Sequence, residues 1–106
     1  MTPAVNRTAV NVIRQAVVNS TEVLVCPVTG VPTPQVVWMK DGKLIDPRRH
    51  NMNVELRDAG RRLVIDSVSL TDTGTYRCVA SNRAGQDFID IVFDVHGMYS
   101  YCDTVV

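Results

Sequence analysis

The stretch Asp72-Thr73-Gly74-Thr75-Tyr76-Arg77-Cys78 decides how this 106-residue chain is read. In a β-strand successive side chains point to opposite faces, so Tyr76, Cys78 and Ala80 share one face. The same alternation places Leu24, Cys26 and Val28 together on an earlier strand, which gives a second cysteine pointing inward. Cys26 precedes Cys78 by 52 residues, Trp38 follows Cys26 by twelve, and Tyr76 precedes Cys78 by two.

Working outward, short runs rich in Val, Ile, Leu and aromatics alternate with Gly, Pro, Asn and Asp clusters at the spacing of a sandwich. Strands are expected near Val10 to Ile13, Glu22 to Val28, Gln35 to Lys40, Lys43 to Ile45, Met52 to Arg57, Arg62 to Val68, Thr75 to Asn82 and Gln86 to Val95. No segment keeps a helical period. The two prolines of Gly30-Val31-Pro32-Thr33-Pro34 lack the donor a ladder needs, so this is a loop. Asp41-Gly42, Ala59-Gly60 and Ala84-Gly85 supply the positive φ of tight turns. The expected core adds Val36, Trp38, Leu63, Ile65, Ile89, Ile91, Phe93 and Val95 to the inward residues already named.

The cysteine, tryptophan and tyrosine spacing resembles the immunoglobulin superfamily. Together with Trp38-Met39-Lys40-Asp41-Gly42 and Ser81-Asn82-Arg83-Ala84-Gly85, it is similar to the intermediate set (I-set) found in tandem arrays. The resemblance implies an all-β, immunoglobulin-like sandwich of two antiparallel sheets with Greek-key connections. It implies a Cys26–Cys78 bridge between the sheets, Trp38 packed on that bridge, Leu63 in the core, and a Tyr76 hydroxyl bonded to backbone near Asp72. Variable-type domains fit less well, because the gap from Lys43 to Met52 is too short for two added strands. The family's usual glycine before the second strand is replaced by Asn19-Ser20, and Asn tolerates the left-handed region. Glu22 stands in phase with Leu24 and Cys26 where an aliphatic is usual, and is expected at the sheet's end, reaching solvent.

The length allows one domain, read as an N-terminal flank over 1–9, the immunoglobulin-like domain over 10–96 and a tail over 97–106. Eleven basic and eleven acidic residues balance, leaving no field to attract nucleic acid or an anionic membrane. No apolar run reaches the roughly 18 to 20 residues that span a bilayer. The start lacks the pattern of a secretory signal, and the chain reads as a module of a longer protein.

Three scattered cysteines can be buried thiols, and intracellular muscle arrays carry the immunoglobulin fold with these thiols reduced. A bridge requires an oxidising compartment. Asn6-Arg7-Thr8 and Asn19-Ser20-Thr21 satisfy the glycosylation sequon, making Asn6 and Asn19 candidate acceptors. Cys102, left over in the tail, suggests pairing outside the domain or the start of a cysteine-rich module.

Chemistry is not in evidence. His50 and His96 stand apart with no ligand-spaced partner, so neither a metal nor another cofactor is expected. Asp87, Asp90 and Asp94 read as residues spread along a strand, with Asp90 and Asp94 on its solvated side. No nucleophile elbow or Cys/His pairing appears, so no catalytic residue is assigned. Arg61-Arg62 and Arg48-Arg49-His50 are candidate contacts for sulfated glycans, although surface loops carry such pairs routinely.

If Val36 and Trp38 face inward, Val37 and Met39 face outward, as do Arg77 and Val79 on one neighbouring strand and Phe88 and Val92 on another. Val37, Met39, Val79, Phe88 and Val92 are therefore the candidate partner-binding patch. Val23, Val25 and Val64 also face outward on the opposite sheet, which makes an ordinary aliphatic surface the competing explanation. The expectation is a non-catalytic protein-binding or spacer module of an extracellular adhesion or matrix protein. Its partners would be neighbouring immunoglobulin-like or other extracellular domains, or a second copy. The alternative is a structural module of an intracellular, titin-like sarcomeric array.

Overall fold

The computed structural model describes residues 2–5, 13–46 and 53–97. Its elements are β1 (Ala4–Val5), β2 (Ile13–Val17), β3 (Glu22–Val25), β4 (Val28–Thr29), β5 (Gln35–Lys40), β6 (Lys43–Leu44), β7 (Val54–Arg57), β8 (Arg62–Ile65), β9 (Gly74–Asn82) and β10 (Gly85–His96), with one 3-10 turn at Leu70–Asp72. One sheet runs β2-β10-β9-β5-β6, the other β3-β8-β7, and β1 pairs with β4. The immunoglobulin-like sandwich is therefore borne out. Its pairings are antiparallel except at one edge, where β2 lies parallel to β10.

Every side chain expected in the core is buried, and Ala16, Ile45 and Val68 join it. Among the described residues the first full strand runs Ile13–Val17, starting where the expected Val10 to Ile13 strand ends. Its inward residue is a single alanine, whereas Ile13 and Val17 are exposed, so hydrophobicity marked the wrong side chains. Val10 and Met52 lie outside the described residues. The expected strand from Glu22 to Val28 is broken after Val25: Cys26 still donates to the Arg61 carbonyl, but Pro27 has no N–H with which to continue, and Val28 pairs instead with β1. The strand from Arg62 ends at Ile65, where Asp66 and Ser67, the latter at φ 49°, turn the chain away.

The Cys26–Cys78 disulfide joins β9 to the segment just after β3, with Cα atoms 6.1 Å apart. Trp38 lies opposite Cys78 in the β5–β9 register. Its indole N–H donates to the Gly60 carbonyl at 2.7 Å, in a buried bond that links one sheet to the β7–β8 turn of the other. Gly60 itself has φ 87°, and a Cβ there would lie 3.0 Å from the Val36 carbonyl oxygen. The turn thus requires glycine both for backbone conformation and for close approach. Asp41 and Gly42 take the expected positive φ, as do Ala59 and Asn19; in the β9–β10 turn Gly85 does so and Ala84 does not.

Glu22 corrects the expectation that it reaches solvent. Its carboxylate accepts from the Arg14 guanidinium at 2.8 Å, with both side chains only partly exposed. Arg14 also donates to the Val23 carbonyl at 3.3 Å. The charge at this phase is tolerated because a cation from β2 of the facing sheet meets it.

Each residue of the opening motif has a task. The Tyr76 hydroxyl donates to the Asp72 carbonyl at 2.6 Å, and the Asp72 carboxylate accepts the Ser69 N–H at 2.8 Å, closing the 3-10 turn. The Thr73 hydroxyl accepts from the Val95 N–H at 3.1 Å. Gly74 leaves room for Asp41, whose carboxylate accepts the Thr75 N–H at 2.9 Å. The Tyr76 ring meets Phe93 edge-on, with centroids 5.7 Å apart.

Burial raises the Tyr76 hydroxyl pKa well above its ordinary value, and the Asp72 and Asp41 carboxylates add to the shift. Because the folded pKa exceeds the unfolded one, this contribution to stability is complete below the unfolded value of about 10. It is lost as pH rises from there toward the folded value. Tyr76→Phe should cost about 1 to 1.5 kcal/mol at neutral pH by stranding the Asp72 carbonyl. Urea titrations at pH 7 to 12 should also show a shallower alkaline loss in the variant than in the parent.

Candidate functional site

The outer face of the five-stranded sheet is set by register. Val37, Val79 and Phe88 stand opposite one another on β5, β9 and β10, forming one cross-strand row. The next row runs Leu44, Met39, Arg77 and Asp90, and beyond it Thr75, Val92 and Ile13 are aligned. Val37 is 45 % exposed, Phe88 45 % and Val92 44 %, with Leu44 and Ile13 more open still at 66 % and 63 %. Met39 and Val79 are half-buried by their neighbours.

The expected patch is thus brought onto one face but not into one block. Across its middle lies an ion pair: Arg77 donates to the two Asp90 carboxylate oxygens at 2.7 and 3.0 Å. The hydrogen bond from Arg77 holds the Asp90 carboxyl below the usual range and raises the guanidinium in return. The Arg77 guanidinium also lies over the Phe88 ring, 4.2 Å from its centroid. Val37, Val79 and Phe88 therefore form a compact apolar row edged by a polar pair, while Val92 keeps company with Ile13. The sequence reading passed over Leu44 and Ile13, and the signal for both was available. Leu44 stands opposite outward-facing Met39 across the Asp41-Gly42 hairpin, and Ile13 closes the first apolar run.

Among the described residues there is no group of three or more His, Cys, Asp or Glu able to hold a metal, and no helix long and apolar enough to cross a membrane. Asp94 pairs with His96 at 3.2 Å. Asn19 is exposed in the β2–β3 turn at φ 70°. The Thr21 hydroxyl of its sequon donates to the Asp66 carboxylate at 2.9 Å. Asn6, Arg48, Arg49, His50 and Cys102 lie outside the described residues.

Residues 7–95 match the sequence model of the immunoglobulin I-set domain. Human hemicentin-1 is 43 % identical over 79 residues, covering 74 % of this chain and 1 % of that protein. Cell adhesion molecule 2 of Xenopus tropicalis is 42 % identical over 78 residues, 69 % of this chain and 17 % of that protein. Rat palladin is 38 % identical over 66 residues, 62 % of this chain and 11 % of that protein. The chain thus spans a small part of the relatives it matches. Among solved structures, a chain of the titin M10–obscurin-like 1 immunoglobulin complex superposes with a TM-score of 0.76 at 26 % identity, over 91 % of this chain and 95 % of that one. The tandem immunoglobulin repeats of Dlar superpose at 0.77 and 26 % identity, over 90 % of this chain and 48 % of that one.

If the register is right, lysine at Val37 or Phe88 should change unfolding free energy by less than about 1 kcal/mol, the ordinary range for exposed positions. Lysine at Val36, one residue away and buried, should abolish the cooperative transition in urea, because an unpaired charge would enter the core.

Proposed function

Because the chain belongs to the immunoglobulin I-set family, we propose that it is a non-catalytic, protein-binding module of an extracellular adhesion or matrix protein. The observation that carries this reading is the cross-strand row Val37–Val79–Phe88, bordered by Met39 and the Arg77–Asp90 pair. An apolar strip with a fixed polar edge is the composition of an interface core and rim. The strip stands on three hydrogen-bonded strands of one sheet, so a partner meets a preformed surface at little ordering cost. The module is taken as residues 10–96, with Val92 and Ile13 forming a second, smaller contact on the same face.

Two features support an extracellular setting. The Cys26–Cys78 bond fits an oxidising compartment, and the exposed Asn19 sequon offers a glycan site at the β2–β3 turn, with Asn6 a second candidate. Similarity to a cell adhesion molecule points the same way. A structural module in an intracellular array is the second reading, favoured by the close superposition on a titin-complex immunoglobulin chain over nearly its whole length. In that setting the thiols would be reduced and the module would set spacing between its neighbours.

Beads coated with the chain, mixed with one another and with cultured fibroblasts, test the binding reading. Attachment should fall at least about tenfold when Val37, Phe88 and Val92 become lysine and Met39 and Val79 become alanine, in line with the loss of an interface core. Attachment that survives all five changes would remove this face as the site. Beads that bind neither each other nor cells would favour the spacer.

A further inference from the structure

Among the described residues, four arginines hold carboxylates: Arg14 with Glu22, Arg57 with Glu55, Arg62 with Asp58 and Arg77 with Asp90. Arg61 and Arg83 make no such pair there. Arg83 is exposed, but Arg61 is half-buried. Its Nε is shut off from solvent and has no hydrogen-bond partner. A buried donor without an acceptor is costly, so among the described residues Arg61 stands out from Arg14, the other half-buried arginine, which is paired.

The Arg61 backbone is fixed on both sides. Its N–H donates to the Asp58 carbonyl at 3.1 Å, and its carbonyl accepts from the Cys26 N–H at 2.7 Å. The side chain lines an open cleft of about 690 Å³ between the β3–β4 break at Pro27 and Val28 and the β7–β8 turn at Asp58 and Ala59. That volume is in the range that holds a drug-sized ligand, so a few peptide residues fit it better than a lone ion. Arg62 also borders the cleft, but its guanidinium is engaged by Asp58 at 2.7 Å. The local balance is thus one uncompensated positive charge against walls that mix apolar Pro27, Val28 and Ala59 with the hydroxyls of Thr29 and Thr33.

We propose that this cleft docks an extended acidic peptide segment of a partner protein, one Asp or Glu carboxylate pairing with the Arg61 guanidinium and apolar neighbours lying on Pro27 and Ala59. Guanidinium matches carboxylate in a two-pronged geometry, and a carboxylate in the cleft meets the outer Nη edge, because Nε itself is closed to solvent. A sulfated glycan is the poorer fit, because it draws on several free basic side chains in a row and the cleft offers one. The inference rests on the reading of the chain as a protein-binding module, but uses a surface separate from the sheet face that holds Val37 and Phe88.

The test is selection of a displayed library of random 12-residue peptides on the immobilised chain, followed by binding isotherms for the enriched peptides. Enriched peptides should carry Asp or Glu flanked by apolar residues. Arg61→Gln should weaken them at least about tenfold, Arg61→Lys should weaken them less, and Glu→Gln in the peptide should match the Arg61→Gln loss. Lys43→Gln, which removes an exposed charge on β6, and the Val37→Lys/Phe88→Lys pair should leave binding unchanged. Should Arg61→Gln fail to fold, the Arg61→Lys and Glu→Gln arms carry the same comparison. The proposal is overturned by no enrichment, by enriched peptides without an acidic residue, or by binding indifferent to Arg61. Peptides lost on the Val37→Lys/Phe88→Lys variant but not on Arg61→Gln would support the sheet face and overturn the cleft. A heparin oligosaccharide that binds in an Arg61-dependent way where no acidic peptide does would overturn it as well.

Discussion

The Cys26–Cys78 bond, with Trp38 seated against it and held to the Gly60 carbonyl, is the constraint on which the other contacts depend. The two cysteines close a loop of about fifty residues, and in a chain-entropy account such a closure disfavours the unfolded state by about 4 kcal/mol. Burying Trp38 contributes a few kcal/mol more. The indole bond fixes the distance between the sheets at the β7–β8 turn, and Tyr76, two residues from Cys78, fixes the turn that feeds β9. With both ends of β9 set, its register against β5 and β10 follows. That register decides which side chains reach the outer face.

The proposed activity is a consequence of this geometry. Because Trp38 and Cys78 face inward opposite each other, Val37 and Val79 face outward opposite each other, and Phe88 completes the row from β10. Arg77 bridges the row to Asp90 and covers one face of the Phe88 ring, so the apolar strip has a defined border. At the other sheet, the break after β3 and the β7–β8 turn open the Arg61 cleft within a few residues of the same disulfide. Two surfaces of different chemistry, one apolar and one cationic, thus hang from a single structural pin.

Much of this was legible in the sequence. Period-two alternation around Cys26, Trp38 and Cys78 identified the core side chains, because inward positions there are large, apolar and regularly spaced. It missed Ala16, whose small side chain carries little hydrophobic signal, and with it the part of β2 that follows Ile13. It missed the partner of Glu22, since Arg14 lies on the opposite sheet and only the packing of the two sheets brings them within 2.8 Å. The face of the partner patch was readable from alternation, but its division by Arg77–Asp90 required cross-strand register. Arg61 was visible only as one of a basic pair. That Arg62 is neutralised by Asp58 while Arg61 is not depends on the turn at Asp58, Ala59 and Gly60, where three consecutive positive φ values set the directions of both side chains.

The most direct measurement is the intact mass of the chain expressed in a secretory host, before and after reduction and deglycosylation, with peptide mapping of Cys26, Cys78 and Asn19. An extracellular adhesion module predicts a mass two hydrogens lighter for a Cys26–Cys78 bond and a glycan released from Asn19. Folded protein with both thiols free and neither Asn19 nor Asn6 occupied would contradict the account and return the chain to the intracellular array.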